Sequence, residues 1–454
     1  MQQGRGREFV HNGAMATRIL ILGGGFAGAY CARALEWHLR GELARGEVEL
    51  SVIDKHNYFV FYPLLVEAGT GTLQPSHAVV SIRSFLKRGK FLMASVVGVD
   101  PVARTVTVDS ESDDTDETHT VGYDHLVIAL GSVTRWPEVK GLREHAIGIK
   151  SVAEAVAMRD RAICQMEYAS SVSDVELQRR LLHWVVIGGG YTGVEVAGEF
   201  LEYMQKAARH YPAIDAGHVK VTLVDRGERI LNTLHPSLSA YAADHLKRRG
   251  VDVRQGDSVA EVGEGFVKLG SGAVLSAQTC VMAAGIAPPH CVVECGFEHD
   301  KGGWLLAEAD GRLKGQANVW GVGDCAVNPD GQGGSYPPTA QHALREGRQV
   351  AENIARTLRE KPTRPIKIIT QGWLAAFGKY DAVAMVFGIR ITGLLAWFMW
   401  RTIYLMKMPG IRRSCRVVLD WTADLLFDKD YVELGVHRVM QEAKKREMAG
   451  KTRP

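Results

Sequence analysis

Short apolar runs, each closed by glycine and followed by a stretch with a helical period, set the rhythm of the chain. The first run, Arg18 to Leu22, meets Gly23-Gly24-Gly25-Phe26-Ala27-Gly28 and continues as AYCARALEWHLR, which predicts strand, tight turn and helix. A second strand is predicted over Glu49 to Ile53, ending at Asp54. The same order returns at His183 to Ile187, then Gly188-Gly189-Gly190-Tyr191-Thr192-Gly193, then VEVAGEFLEYMQKAARH, then Val219 to Val224 ending at Asp225. An internal repeat of this kind predicts an α/β fold with two nested Rossmann-like dinucleotide-binding domains.

YDHLVIALGS and TCVMAAGIAP each place an apolar strand before a glycine, as expected where the chain crosses between nested folds. Residues 151 to 180 read as a helical bridge, Val319 to Val322 as a short strand, and 339 to 358 as a long helix. The first 16 residues read as a disordered leader without a signal peptide's apolar core, and the acidic stretch Asp109 to Glu117 as a solvated hairpin tip. Lys361-Pro362-Thr363-Arg364-Pro365 has the composition of a linker.

The repeated turn carries chemistry. In G-x-G-x-x-G the first glycine permits the bend, the second lets the backbone approach a pyrophosphate, and the third lets helix and strand pack closely. Gly23, Gly25 and Gly28 fill these places, as do Gly188, Gly190 and Gly193. A phosphate then sits at the helix N-terminus, where N–H groups and the helix dipole favour an anion. Asp54 and Asp225 are placed to accept hydrogen bonds from adenosine riboses, and an acid at 225 disfavours a 2′-phosphate, so NADH is expected over NADPH. Arg226 and Arg229 argue weakly the other way. Asp324, in NVWGVGDCA, is expected at a flavin's ribityl chain, and the N-terminus of the 339–358 helix, with Ala340 and Gln341, is expected to face the flavin ring.

The composition of the 454 residues, 46% hydrophobic and 23% charged, is that of a globular protein of about three domains. A net charge of +3 is too weak to imply nucleic acid, although residues 390–454 alone carry 13 Lys and Arg against 7 Asp and Glu. Seven scattered cysteines without a C-x-x-C argue for a reducing compartment. Cys291 and Cys295 form a lone C-x3-C, so the thiols are read as small buried side chains and no metal site is expected.

On these motifs the chain resembles the two-dinucleotide-binding-domain flavoproteins, and FYPLLVEAGTGTLQP, GGGYTGVEVAGEF, PPTAQHALREG, GWLAAFGKYDAVA and GLLAWFMWRTIYL narrow the resemblance to the type II NADH:quinone oxidoreductases. The resemblance implies FAD in the first domain, NADH in the second, and electron transfer to a membrane quinone. It marks Glu195, Gln341 and Lys379 as catalytic-site candidates, with Gln341 the first glutamine of an A-Q-x-x-x-Q quinone motif whose second position here is Arg345. The expected division is an FAD-binding domain over 17–150 and 286–364, an NADH-binding domain over 151–285, and a C-terminal membrane-surface segment over 365–454.

The stretch Ile391 to Met406 is apolar on nearly all sides, but 16 helical residues reach about 24 Å, short of a bilayer core of roughly 30 Å. Two placements remain: a buried helix, or one lying in a membrane interface with Trp397 and Trp400 at headgroup level and Arg401, Lys407, Arg412, Arg413 and Arg416 on phosphates. The resemblance favours the second, with a second helix over Val417 to Phe427 and residues 442–454 as a solvated tail. The expected location is therefore the cytoplasmic face of the inner membrane, as a peripheral or monotopic protein. A homodimer is compatible with these features. Two other functions share the fold: a disulfide or sulfide reductase, in which Cys325 would pair with Cys31 or Cys164, and a non-catalytic redox sensor.

Overall fold

The computed structural model describes residues 16–110 and 118–451, so the leader up to residue 15 and most of the acidic stretch lie outside the described residues. Two compact units emerge. The first comprises the segment ending at Phe59, Val80–Val133 and Ile286–Thr370; the second comprises Val60–Val79, Thr134–Gly285 and the chain from Gln371.

The first unit is built on a five-stranded parallel sheet in the order Val319–Gly321, His125–Ile128, Thr17–Leu22, Val48–Asp54, Lys90–Met93. Residues 19–22 and 126–128 of its inner strands are continuous buried apolar runs because both faces are covered there, whereas Val48–Asp54 alternates with polar residues. The helix Phe26–His38 packs on the helix Ala340–Leu358 so closely that a side chain at Gly347 would collide with the Ala27 carbonyl oxygen. A hydrophobic core that includes Leu20, Leu22, Ile53, Leu126 and Ile128 lies against the sheet. An antiparallel three-stranded sheet, Ser95–Asp100, Thr105–Asp109 and Thr118–Gly122, is added to it.

The second unit repeats the plan. Its parallel sheet runs Ala146–Gly148, Thr279–Met282, His183–Ile187, Lys220–Asp225, Val251–Gln255, with its own antiparallel trio Val259–Gly263, Phe266–Leu269 and Val274–Ser276. In both sheets the strand before the glycine turn is central, flanked on one side by the strand that ends in aspartate. The repeat legible in the sequence is therefore a repeat of topology. The expected bridge is two helices, Val152–Ser171 with a Ser151/Glu154 capping box, and Val175–Leu181 capped by Asp174.

Three C-terminal expectations are corrected. The helix expected from Ile391 begins at Gly393, because β-branched Ile389, Ile391 and Thr392 pair as an edge strand with Val383–Val386, and Gly393 turns out of it at φ +67°. The next helix starts at Ile411, six residues early, and runs to Leu426. Residues 442–451, read as solvated tail, continue a third helix, Val436–Lys451, whose Lys444 donates to the Ala146 carbonyl.

The placement of the aromatic residues is also corrected. Trp397, Trp400 and Arg401 are buried rather than at a headgroup level. Arg401 donates to Glu67 at 3.4 Å and lies over the Trp397 and Trp421 rings at 4.0 and 4.7 Å, while the Trp421 N–H donates to the other Glu67 oxygen at 2.7 Å. A guanidinium among indoles finds its partner in a buried carboxylate, which the surrounding sequence could not announce. Arg413 donates to the Val79 carbonyl, so it too is engaged by protein. What faces outward is the other side of these helices: Leu394, Leu395, Phe398, Ile411, Leu419 and Phe427 are exposed, with Arg412 and Arg416 beside them.

Two predictions follow from this packing. Gly198, on the helix Tyr191–Ala208, has no room for a methyl because the Phe377 carbonyl oxygen stands in its place, so Gly198→Ala will destabilise the protein by about 1–3 kcal/mol in denaturant titration. Glu346 is buried and accepts from Gly323 N at 2.7 Å; burial raises its pKa to about 7 against an ordinary 4.5. Its folded pKa is the higher one, so its stabilisation is present below about 4.5 and is lost as pH rises through about 7, a change of about 3 kcal/mol. Glu346→Gln will flatten that part of the stability–pH curve; an unchanged curve contradicts the assignment.

Candidate functional site

The first glycine turn has the shape that a dinucleotide requires. Gly23 sits at φ +95°, and a side chain there would run into the Ala129 carbonyl oxygen. Gly28 is pressed against the Gly23 carbonyl, whereas on the Cβ side of Gly25 nothing lies within 4 Å. That is the arrangement in which backbone can approach a pyrophosphate, and no side chain caps the helix that starts at Phe26. Asp54 accepts from Gly24 N at 2.6 Å and His56 N at 2.8 Å. Burial pushes its pKa up and these two N–H donors pull it back. The carboxylate thus braces the turn, and each oxygen keeps a second lone pair for a ribose hydroxyl.

The second turn repeats this. Gly188 is at φ +109° with Ala284 atoms where its side chain would go, Gly193 abuts the Gly188 carbonyl, and Gly190 again faces open space. Asp225 accepts from Gly189 N at 2.5 Å and Gly227 N at 2.7 Å. Both turns thus end their second strand in an acid that holds the turn's own amides.

In the first unit Asp324 follows the short strand as expected, and Ser132 donates to its carboxylate at 2.9 Å. The helix beginning at Ala340 has Thr339 at its N-cap without a side-chain cap, the Thr339 hydroxyl being paired with His342 Nδ1 at 2.7 Å. Ala340 and Gln341 therefore lie at a helix N-terminus whose dipole suits developing negative charge. Arg345 turns back along the helix and donates to the Gln341 carbonyl at 2.8 Å; burial lowers its pKa. Where the family motif has glutamine, this chain has a cation engaged by its own backbone.

Acids gather on the helix Tyr191–Ala208 of the second unit. Glu195 is held well above the ordinary carboxyl range, first by burial, against the opposing Ala376 backbone, and further by the Glu199 and Glu67 carboxylates. Burial likewise raises Glu199 to about 7, with Lys429 opposing and Glu202 and Glu67 assisting. Glu202 goes the other way: burial is overcome by the Lys206 hydrogen bond and by Arg249, leaving it at about 2. Two acids with raised pKa values and one with a lowered pKa on three turns of one helix are a separation made by environment.

Lys379 joins this cluster. Its Nζ donates to the Asp424 carbonyl at 2.8 Å and lies 3.6 Å from the Asp424 carboxylate, and its backbone N–H donates to Glu202. With Glu67, Glu199 and Lys429 it lines a polar cavity, while Glu195 stands one turn earlier on the helix, outside that lining. Sequence reasoning missed Glu67, Glu199 and Glu346. Glu199 carried a signal, four residues after Glu195 on a predicted helix; Glu67 and Glu346 acquire their partners only through folding.

All seven cysteines are free thiols. Cys325 and Cys31 are buried, which pushes both thiols up, Cys325 to about 12, and Cys325 Sγ points at the Ile128 and Val322 carbonyls. Thiols so disfavoured as thiolates are poor redox nucleophiles. Cys291 and Cys295 are likewise unpaired, with Cys295 donating to the Val292 carbonyl.

Residues 17–347 match the family model of the pyridine nucleotide-disulphide oxidoreductases, and residues 370–430 match the NDH2 C-terminal domain. A type II NADH:quinone oxidoreductase of Staphylococcus aureus is 31% identical over 403 residues, covering 87% of this chain and 96% of that protein. A probable NADH dehydrogenase of Dictyostelium discoideum is 30% identical over 389 residues, covering 84% and 85%. The structure of NDH2 from Plasmodium falciparum in complex with NADH superposes with a TM-score of 0.84 at 19% identity, covering 92% of this chain and all of that one. With the repeated turn, the acid-braced strand ends and the C-terminal sheet and helices in place, the chain belongs to the type II NADH:quinone oxidoreductases.

Proposed function

We propose that this chain catalyses NADH + H⁺ + quinone → NAD⁺ + quinol through bound FAD. The observation that carries this is the duplicated glycine turn, each copy braced by an aspartate and open at its middle glycine, which provides for two dinucleotides. What FAD supplies when bound is reversible two-electron storage between nicotinamide and quinone. In our reading, Gly23, Gly25, Gly28, Asp54 and Asp324 hold FAD, with Ala340 and Gln341 at the helix N-terminus beside its ring. Gly188, Gly190, Gly193 and Asp225 hold NADH. Quinone reduction consumes protons, and Glu195, whose pKa burial raises well above the ordinary carboxyl value, is the donor, with Glu199 one turn on along the helix and Lys379 in the polar cavity that Glu199 lines. The high thiol pKa values speak against a dithiol reductase of the same fold.

The exposed apolar face of the C-terminal helices fits a membrane surface, and none of the described helices is long and apolar enough to cross one. A helix pair that lies in the interface, apolar side down and with Arg412 and Arg416 near phosphates, brings a lipid-soluble acceptor to the enzyme. We place this face on the cytoplasmic side, where NADH is available.

Glu195→Gln should retain FAD and slow quinone reduction about 10²-fold in stopped-flow; an unaltered rate removes Glu195 from the proton step. The double variant Leu395→Glu/Phe398→Glu should bind anionic vesicles at least about tenfold more weakly while still turning over a short-tailed, water-soluble quinone. Vesicle binding equal to that of the parent would place the membrane face elsewhere.

A further inference from the structure

The helix Val152–Ser171 and the start of the C-terminal helix Val436–Lys451 meet at a cluster that the NADH:quinone reaction does not use. Cys164, Glu433 and His437 bring one ligand atom each to within 4.8 Å of one another. They come from positions some 270 residues apart, so no local spacing announced them. His437 is only 5% exposed, yet its Nδ1 has no hydrogen-bond partner; it faces Glu433 Oε1 at 3.4 Å, and that oxygen lies 3.0 Å from the Nε of the exposed Arg438. A buried ring nitrogen without a hydrogen bond, facing a carboxylate and beside a free thiol, is costly as it stands. A cation between them removes the cost.

We infer that Cys164, Glu433 and His437 form a binding site for a zinc-like divalent cation that fastens the C-terminal helix to the Val152–Ser171 helix. Sulfur, nitrogen and carboxylate oxygen together are the donor set of a borderline-soft dication, and three protein ligands leave a fourth position for water. Binding releases the Cys164 thiol proton. The charges around the site agree. Asp160, fully buried one turn before Cys164, accepts from Leu434 N at 2.8 Å and Val436 N at 2.7 Å. Asp160 and Glu433 balance the nearby Arg161 and Arg438, and the thiolate that Cys164 becomes on binding makes the surroundings net negative for a dication. The Asp160 hydrogen bonds set the position of the Glu433 and His437 segment before any ion arrives, and a half-exposed Cys164 leaves the ion a way in. A three-ligand site of this kind exchanges its ion and so couples the docking of the last helix to the supply of free metal.

The test uses the full-length, FAD-loaded protein and zinc chloride alone, in competition with a chromophoric chelator. The expected result is one tight equivalent per chain, weakened at least about tenfold by Cys164→Ser and by His437→Gln with flavin content unchanged. Parent protein that takes up no tight equivalent, or variants that bind zinc as the parent does, overturn the site. Should a variant fold poorly, the parent alone decides: zinc should slow maleimide labelling of Cys164, read by peptide mass, at least about tenfold, and a chelator should restore it. A labelling rate indifferent to zinc overturns the proposal.

Discussion

The buried contact of Glu67 with Arg401 and Trp421 fixes the C-terminal helices to the second unit, and the chemistry of that unit depends on it. A carboxylate this deep is unfavourable as an ion, and burial raises its pKa; the guanidinium and the indole N–H act against that rise. Removing either partner would strand the other, which gives the pair its power to specify one docking position rather than many. Because the helix Gly393–Lys407 is held there, Trp397 and Trp400 are buried and the opposite side of the helix is left apolar and exposed. Burial likewise raises the pKa of Glu195 and of Glu199 above the ordinary carboxyl value.

That one arrangement serves two ends. The inner side of the C-terminal helices completes a polar cluster beside acids that the environment splits, Glu202 lowered to about 2, Glu199 raised to about 7 and Glu195 well above the ordinary carboxyl value. The outer side is apolar and exposed, and it is the face we propose for a membrane surface. The nucleotide turns are more autonomous: each is closed by an aspartate from its own sheet, with strand order, glycine placement and hydrogen bonds repeated almost atom for atom. In the function we propose, affinity for dinucleotides is thus a local property of each repeat, while proton supply is a property of how distant segments pack.

This division explains what the sequence disclosed. Strand, turn and helix around Gly23 and Gly188 obey local rules, so their bounds, their glycines and the acids at 54 and 225 were legible from period and composition. The long helix at 340–358 was legible for the same reason. The fate of Arg401 was not, because Arg, Trp and Leu in one apolar stretch fit a membrane interface and a buried helix equally well until Glu67, 334 residues away, supplies a countercharge. Glu346 and the Cys164, Glu433 and His437 cluster share that character. The departure at Arg345 was visible at once, but its bond to the Gln341 carbonyl needed the helix.

An anaerobic titration of the purified protein with NADH, followed by a long-tailed quinone, tests the central claim most directly. The account predicts that one equivalent of NADH bleaches the flavin absorbance, that NADPH does so far less readily, and that the quinone restores the oxidised spectrum in full. A flavin that NADH leaves oxidised, or one that settles into a persistent thiolate charge-transfer band and ignores the quinone, would contradict it.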